Sequence, residues 1–244
     1  MQAATDTRKT RKALVTGATA GIGRAAAIQL AHDGFEVIVH GRDATRGAEV
    51  VREIEAAGGK ATFIAAEMGS LDDLRRLAGE AGDVDVLVNN SGFAWFGPTA
   101  TMDDKKFDEM FAANVRAPYF LVAAIAPKMA ARGEGSIINV GSVAGQIGLA
   151  GGAAYSATKA SLAAMTRSWA AEFSPSGVRV NTVAPGPVYT SSPRERIQAM
   201  GDTTLMKRAA ETQEIAEAIS FLASPRSSFV TGALFPVDGG RGAI

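Results

Sequence analysis

Tyr155 and Lys159 stand four residues apart at the start of an Ala-rich helical stretch, and Ser142 closes an apolar run thirteen residues before the tyrosine. Positions i and i+4 share a helix face, so this spacing stacks an ammonium beside a phenol. A neighbouring cation favours phenolate and is expected to lower the Tyr155 pKa toward working pH. A phenol tuned in that way serves as a general acid or base. Ser142, at the end of SIINVGS (136–142), can offer a hydrogen bond to the same substrate oxygen. A bare Y-x-x-x-K also describes an ordinary tyrosine and a solvated lysine on an amphipathic helix, so the pair takes its meaning from the rest of the chain.

A second group of residues could hold an anion. Thr16-Gly17-Ala18-Thr19-Ala20-Gly21-Ile22-Gly23 follows the apolar run KALVT (12–16) and precedes a helical pattern that begins near Ile22. Glycines there permit a tight turn and close approach of the backbone to a pyrophosphate. The helix that follows aims free amides and its positive dipole end at the anion. A Gly-rich turn with no ligand has the same composition. After the second apolar run comes His40-Gly41-Arg42-Asp43, where nucleotide sites place an acid for a ribose 2′-hydroxyl or an arginine for a 2′-phosphate. With Gly41 aligned to the acid position, Arg42 supplies a cation and NADP is expected, with NAD possible. Arg42 could equally be a solvated loop residue and Asp43 a helix cap, or Asp43 could be the ribose acid in a turn read two residues later.

These loops need strands and helices to position them. Apolar runs at KALVT, FEVIVH (35–40), ATFIAAE (61–67), DVLVNN (85–90), SIINVGS, VRVNTVAP (178–185) and ALFPVDGG (233–240) alternate with helical patterns. Strands this apolar are buried on both faces, as in a parallel sheet covered by helices. The alternation predicts an α/β fold with right-handed crossovers, one doubly wound domain over 11–244 after a disordered arm at 1–10. Helices are expected near Leu71–Leu77 and from about Met102 to Ala131, the latter kinked or ended by Pro118 or Pro127. Residues 190–208 combine Ser, Pro, Gly and charge with little apolar periodicity, and read as a lid.

Composition excludes several classes of function. The chain has 244 residues, 25 basic and 25 acidic, for a net charge of zero. No basic cluster marks a nucleic-acid surface. There is no cysteine, and the two histidines, His32 and His40, read as surface or strand-end residues rather than ligands, so no metal is expected. No apolar signal core and no apolar stretch of membrane-spanning length free of charge is visible, which makes a cytoplasmic protein with no membrane partner the default.

The loop TGATAGIG (16–23), NNSG (89–92), Asn114, Ser142, YSATK (155–159), APGPVYT (184–190) and the ending VDGG (237–240) together resemble the short-chain dehydrogenase/reductase family, in the branch of 3-oxoacyl-acyl-carrier-protein reductases. The resemblance implies a Rossmann-like fold and an oxidoreductase that transfers hydride between NADP(H) and a carbonyl or secondary alcohol. The rival readings are an NAD-dependent alcohol or sugar dehydrogenase and a non-catalytic nucleotide-binding regulator. It implies Tyr155 as acid/base, Lys159 as its tuner and ribose ligand, Ser142 as the group that polarises the carbonyl, and Asn114 as holder of a relay water. It implies cofactor contacts at Gly17, Thr19, Gly21, Ile22, Gly23, Arg42, Asn90, Gly92, Tyr155, Lys159, Pro185, Gly186, Val188 and Thr190. Glu67 and Met68 stand where an Asp normally recognises adenine, and Ala20 where many NADP-preferring members carry a base. The substrate is expected to be a small carbonyl or alcohol, or an acyl thioester. Phe93, Trp95, Phe96, Gln146, Ile147 and the 189–208 segment are candidates to line its pocket, with Arg132 and Lys128 as carrier-docking cations. A homotetramer is also implied, in keeping with the apolar helices bearing Phe107, Phe111, Leu162 and Trp169.

Overall fold

The computed structural model describes residues 10–244, so the expected arm lies almost wholly outside the described residues. Seven strands form one parallel sheet in the order β3-β2-β1-β4-β5-β6-β7. They are β1 (Lys12–Val15), β2 (Glu36–Gly41), β3 (Lys60–Ala65), β4 (Val86–Asn89), β5 (Gly135–Val140), β6 (Val178–Pro185) and β7 (Leu234–Val237). This is the doubly wound α/β fold that the alternation predicts.

Alternate residues of a strand face opposite sides of a sheet, and both sides here are apolar. Ala13, Val15, Val37, Val39, Val86 and Val88 pack on α1 (Gly21–His32), α2 (Ala44–Ala56) and α8 (Thr212–Ala223), through Leu30, Ile54, Ile215 and Ile219. Leu14, Ile38, Leu87 and Ile137 face α3 (Leu71–Ala81), α5 (Ala117–Arg132) and α6 (Ala153–Phe173), through Leu74, Leu121, Ile125, Met129 and Leu162. Strand order reverses between β1 and β4, which opens a crevice at their C-terminal ends where such folds bind ligands.

A chain of buried polar side chains ties the right half of the sheet to α6. Asn89 donates to Asn139 at 2.9 Å, Asn139 donates to Thr166 at 2.7 Å, and Thr166 meets Thr182 at 2.7 Å. Unpaired polar groups in such a place cost heavily, so their mutual bonds fix how α6 sits on β5 and β6.

The helical region after β4 departs from expectation. It begins as α4 (Asp104–Phe111), widens into a π turn over Ala112–Arg116 and continues as α5. Pro118 follows the π turn directly and Pro127 lies inside α5, and neither ends the helix. The helix stops at Gly133, whose φ of 77° is left-handed. By length and composition Asp104–Arg132 also resembles a membrane span, yet its apolar face lies against the sheet through Leu121, Val122, Ile125 and Met129. Helix α3 runs past Leu77 to Ala81, started by the Ser70 hydroxyl accepting from the Asp73 N–H.

Candidate active site

Helix α6 carries Tyr155 and Lys159 into the crevice on its first two turns. Burial pushes the Tyr155 pKa up, and interaction with the Ser142 hydroxyl pulls it part of the way back. The expected downward shift by Lys159 is not what the geometry provides. The Lys159 ammonium lies 5.7 Å from the tyrosine ring centre and donates to the Val140 carbonyl at 2.8 Å. Burial pulls its own pKa down to about 8. Phe96 meets the Tyr155 ring edge-on at 5.5 Å.

Asn114 sits in the π turn, 1% exposed, and its side chain makes three hydrogen bonds. It donates to the Phe93 carbonyl at 2.9 Å and to the Thr158 hydroxyl at 3.1 Å, and it accepts from the Phe93 N–H at 3.1 Å. The amide therefore clamps the segment after β4 to α6. Its Oδ1 accepts one hydrogen bond and keeps a second lone pair, the acceptor that the expected relay water would use.

The glycine loop is shaped by its neighbours. Gly17 and Gly21 have φ of 65° and 53°, in the left-handed region that glycine tolerates. A Cβ on Gly23 would stand 2.3 Å from the Gly17 carbonyl and 2.4 Å from the Asn90 amide nitrogen. Asn90 locks the turn, donating to the Thr16 carbonyl at 2.9 Å and the Gly17 carbonyl at 3.3 Å. The Thr16 hydroxyl accepts from the N–H groups of Asn90 and Ser91. No side chain caps α1, so its first amides stay free for an anion.

His40 is a residue whose role sequence reasoning missed. It is buried rather than on the surface, and it bridges the loop to the end of β3. Its Nδ1 accepts from the Gly17 N–H at 3.2 Å, and its Nε2 faces the Ala66 carbonyl at 3.1 Å. That pairing requires a neutral ring with the proton on Nε2. Burial holds the pKa below its ordinary value, against smaller opposing effects of the Ala66 bond and the Glu67 and Asp73 charges. The only signal for this role in the sequence is its place at the end of an apolar strand.

Beyond β2, a Cβ on Gly41 would lie 2.5 Å from the Thr19 methyl, so no acidic side chain fits there without displacing Thr19. Asp43 accepts from both the backbone and the side chain of Arg46 as the cap of α2, and unlike Arg42 it does not line the cleft. Arg42 is exposed and stands 3.6 Å from Glu67. Thr19, Gly41, Arg42, Arg46 and Glu67, with Met68, Asn90, Gly92 and Thr190, line a cleft of about 1010 Å³. The cleft continues past Ile22, Asn90, Gly92, Phe93 and Thr190 into a pocket of about 710 Å³ that holds Ser142, Tyr155, Lys159, Pro185, Gly186 and Val188.

The expected pocket wall is correct in part. Phe93, Phe96 and Ile147 line it, joined by Leu149 and Arg241, which sequence reasoning missed. Trp95 packs across Gly97 instead, and Gln146 is exposed outside the pocket. The 190–208 stretch contains a helix, α7 (Arg194–Gly201), whose one buried apolar anchor is Ile197. A single anchor is too little periodicity to reveal a helix. Arg132 pairs with Asp83 and Asp85 at the N-terminal end of β4, the end of the sheet away from the crevice.

The sequence profile of the short chain dehydrogenase family matches residues 11–201. The chain belongs to the short-chain dehydrogenase/reductase family. It is an NAD(P)-dependent oxidoreductase. It is 35% identical to the 3-oxoacyl-acyl-carrier-protein reductase FabG of Staphylococcus epidermidis, over 94% of this chain and 98% of that protein. It is 37% identical to the cis-4-hydroxycyclohexanecarboxylate dehydrogenase of Sinomonas cyclohexanicum, over 96% and 97%. Among solved structures, a short chain dehydrogenase/reductase family protein superposes with a TM-score of 0.91 at 46% identity, covering 96% of this chain and 98% of the other. A blue fluorescent protein from a metagenomic library, solved with NADPH, gives 0.89 at 35% identity, covering 95% and 97%. A gluconate 5-dehydrogenase from Burkholderia cenocepacia, solved with NADP and tartrate, gives 0.90 at 29% identity, covering 97% of each chain. The cradle of this dehydrogenase/reductase fits a dinucleotide: side chains are excluded at Gly23 and Gly41, and uncapped amides face the cleft.

The His40 bridge makes the loop sensitive to acid. The folded pKa lies below the ordinary 6.5, so between the two the unfolded chain binds more protons. Stability is then full above 6.5 and falls as pH drops toward the folded value. Urea midpoints measured from pH 8 to pH 5 should fall further for the natural chain than for His40→Gln, with dinucleotide affinity falling in parallel. Identical pH profiles for the two proteins contradict the bridge.

Proposed function

We propose that this enzyme is an NADP(H)-dependent ketoreductase that interconverts a small ketone and its secondary alcohol. The observation that carries the reading is the meeting of Ser142, Tyr155 and Lys159 in the pocket that continues the dinucleotide-shaped cleft.

When bound, the dinucleotide supplies or accepts the hydride. The chain's residues manage the oxygen. Burial keeps the Tyr155 phenol protonated at neutral pH, so its proton is ready for the oxygen of a ketone being reduced. Ser142 stands beside the phenol and shares that oxygen, aligning it and stabilising charge as it grows. The Lys159 ammonium, 5.7 Å from the ring centre, is placed to hold the ribose of the bound dinucleotide rather than to lower the phenol's pKa. Phe96 packs edge-on against the ring and gives it an apolar neighbour. Asn114 acts as a positioning residue, since it holds Phe93 and the helix that carries Tyr155 in one arrangement.

Selection of NADP(H) rests on Gly41 and Arg42. The site excludes a ribose acid at residue 41 and leaves an exposed guanidinium beside it. The NADP and NADPH held by the two structural relatives support the same choice. An NAD-dependent alcohol dehydrogenase is the second reading, favoured by the Sinomonas relative's activity on a ring alcohol. Assembly as a homotetramer belongs to the proposal. Phe107, Tyr119 and Phe120 are exposed along α4 and α5, and closed symmetry is the common way to bury such faces.

Oxidation of NADPH and of NADH, followed spectrophotometrically over a panel of neutral ketones and the N-acetylcysteamine thioester of 3-oxobutanoate, tests the reading. Turnover with NADPH is expected, and no turnover with any ketone or either dinucleotide defeats it. Tyr155→Phe should fold normally and lose roughly 10²–10⁴-fold in kcat, and near-normal turnover by that variant refutes the mechanism. Arg42→Ala should narrow the NADPH-over-NADH preference, and tighter NADH binding by the natural chain would show that the guanidinium does not choose the cofactor. Light scattering at micromolar concentration should give four chain masses, against one if the helix faces do not associate.

A further inference from the structure

The pocket beside Tyr155 has an unbalanced charge. Its lining includes Lys159, Arg196 and Arg241, and no Asp or Glu. Lys159 is engaged by the Val140 carbonyl, but the two arginines are not neutralised. Their neighbours are: Arg194 pairs with Glu211 at 3.1 Å, and Arg208 pairs with Glu214 at 2.7 Å. Among the described residues, no carboxylate lies within ion-pair reach of Arg196 or Arg241. The acid nearest in sequence to Arg241, Asp238, turns its oxygens to the N–H groups of Gly240 and Gly242, at 2.9 and 2.7 Å. The rest of the wall is mostly apolar, with Phe93, Phe96, Ile147, Leu149 and Met200. The dinucleotide-shaped cleft has its own arginines, Arg42, Arg46 and Arg116, so Arg196 and Arg241 are surplus to it.

Guanidinium groups bind carboxylates through two parallel hydrogen bonds, and such bonds are stronger than neutral ones. An apolar wall disfavours a polyol, whose hydroxyls would lose water without finding partners. We propose that the substrate is a compact oxo acid, or its hydroxy acid in the reverse direction, with its carboxylate held by Arg196 and Arg241 and its hydrocarbon body against Phe96, Ile147 and Leu149. The proposal rests on the ketoreductase reading of the same pocket. In reduction the carbonyl π bond breaks, hydride from NADPH forms the new C–H bond, and the Tyr155 proton completes the hydroxyl. The dinucleotide is oxidised and the carboxylate is unchanged. The arginines, one on α7 and one near the C-terminus, therefore choose the substrate by a group remote from the reacting carbon.

The test compares acids with their own esters in the full-length protein. The substrates are 4-oxopentanoate, 5-oxohexanoate and 4-oxocyclohexanecarboxylate, each beside its methyl ester, with NADPH oxidation as readout. At least one acid should exceed its ester in kcat/KM by about 10–100-fold, the range of a charged hydrogen-bonded contact. In the double variant Arg196→Gln/Arg241→Gln that ratio should collapse toward one. Arg194→Gln, which removes a cation outside the pocket, should keep it. Pentanoate should inhibit the natural chain competitively where pentanamide does not, a readout that needs no substitution. Esters used as well as acids, a ratio that survives the double variant, or equal inhibition by the amide would each overturn the assignment. Turnover of neutral ketones with no preference for acids would sink this inference alone. Inactivity toward every carbonyl compound would sink the ketoreductase reading with it.

Discussion

Lys159 carries an ammonium into the protein interior, where a charge costs several kcal/mol unless the chain supplies partners. The partner on hand is the Val140 carbonyl at the end of β5, 2.8 Å away. That bond ties the first turns of α6 to the strand whose next residues lead to Ser142. It also fixes how far the ammonium stands from the phenol. Even so, the pKa falls to about 8, so the residue is poised rather than permanently charged. A bound ribose or a nearby phenolate restores part of what burial takes away.

The remaining architecture serves that placement. The polar run from Asn89 through Asn139 and Thr166 to Thr182 prevents α6 from sliding on the sheet, because a shift would strand several buried groups at once. The π turn at Ala112–Arg116 brings Asn114 to face both Phe93 and Thr158. Such turns interrupt helices chiefly where function needs a displaced residue. The two halves of the sheet meet where Asn90 grips the turn after β1.

The strands were legible in the sequence because the five central ones are buried on both faces and read as apolar runs, while the edge strands β3 and β7, only partly buried, kept enough apolar residues to be seen. Ser142, Tyr155 and Lys159 were legible because their spacing along a strand end and a helix start is geometric. What could not be read depends on contacts between distant segments. The His40 bridge needs the pairing of β2 with β3 and the turn at Gly17, neither of which the residue's neighbours reveal. The pKa direction of Tyr155 was misjudged because helix spacing gives adjacency and not the depth of burial. Helix α7 was hidden by having one apolar anchor, and Arg241 by standing after the last strand with no periodic context.

Thr16 pairs with Asn90 and Asn114 with Thr158, four residues from separate stretches of the chain, so these bonds exist only once distant segments have met. A partly folded chain therefore has nothing with which to grip a dinucleotide. Ligand then binds the native form alone and draws the folding equilibrium toward it, by about 2.7 kcal/mol when free ligand is a hundred times its dissociation constant. The concentration of free dinucleotide thus becomes part of this protein's stability.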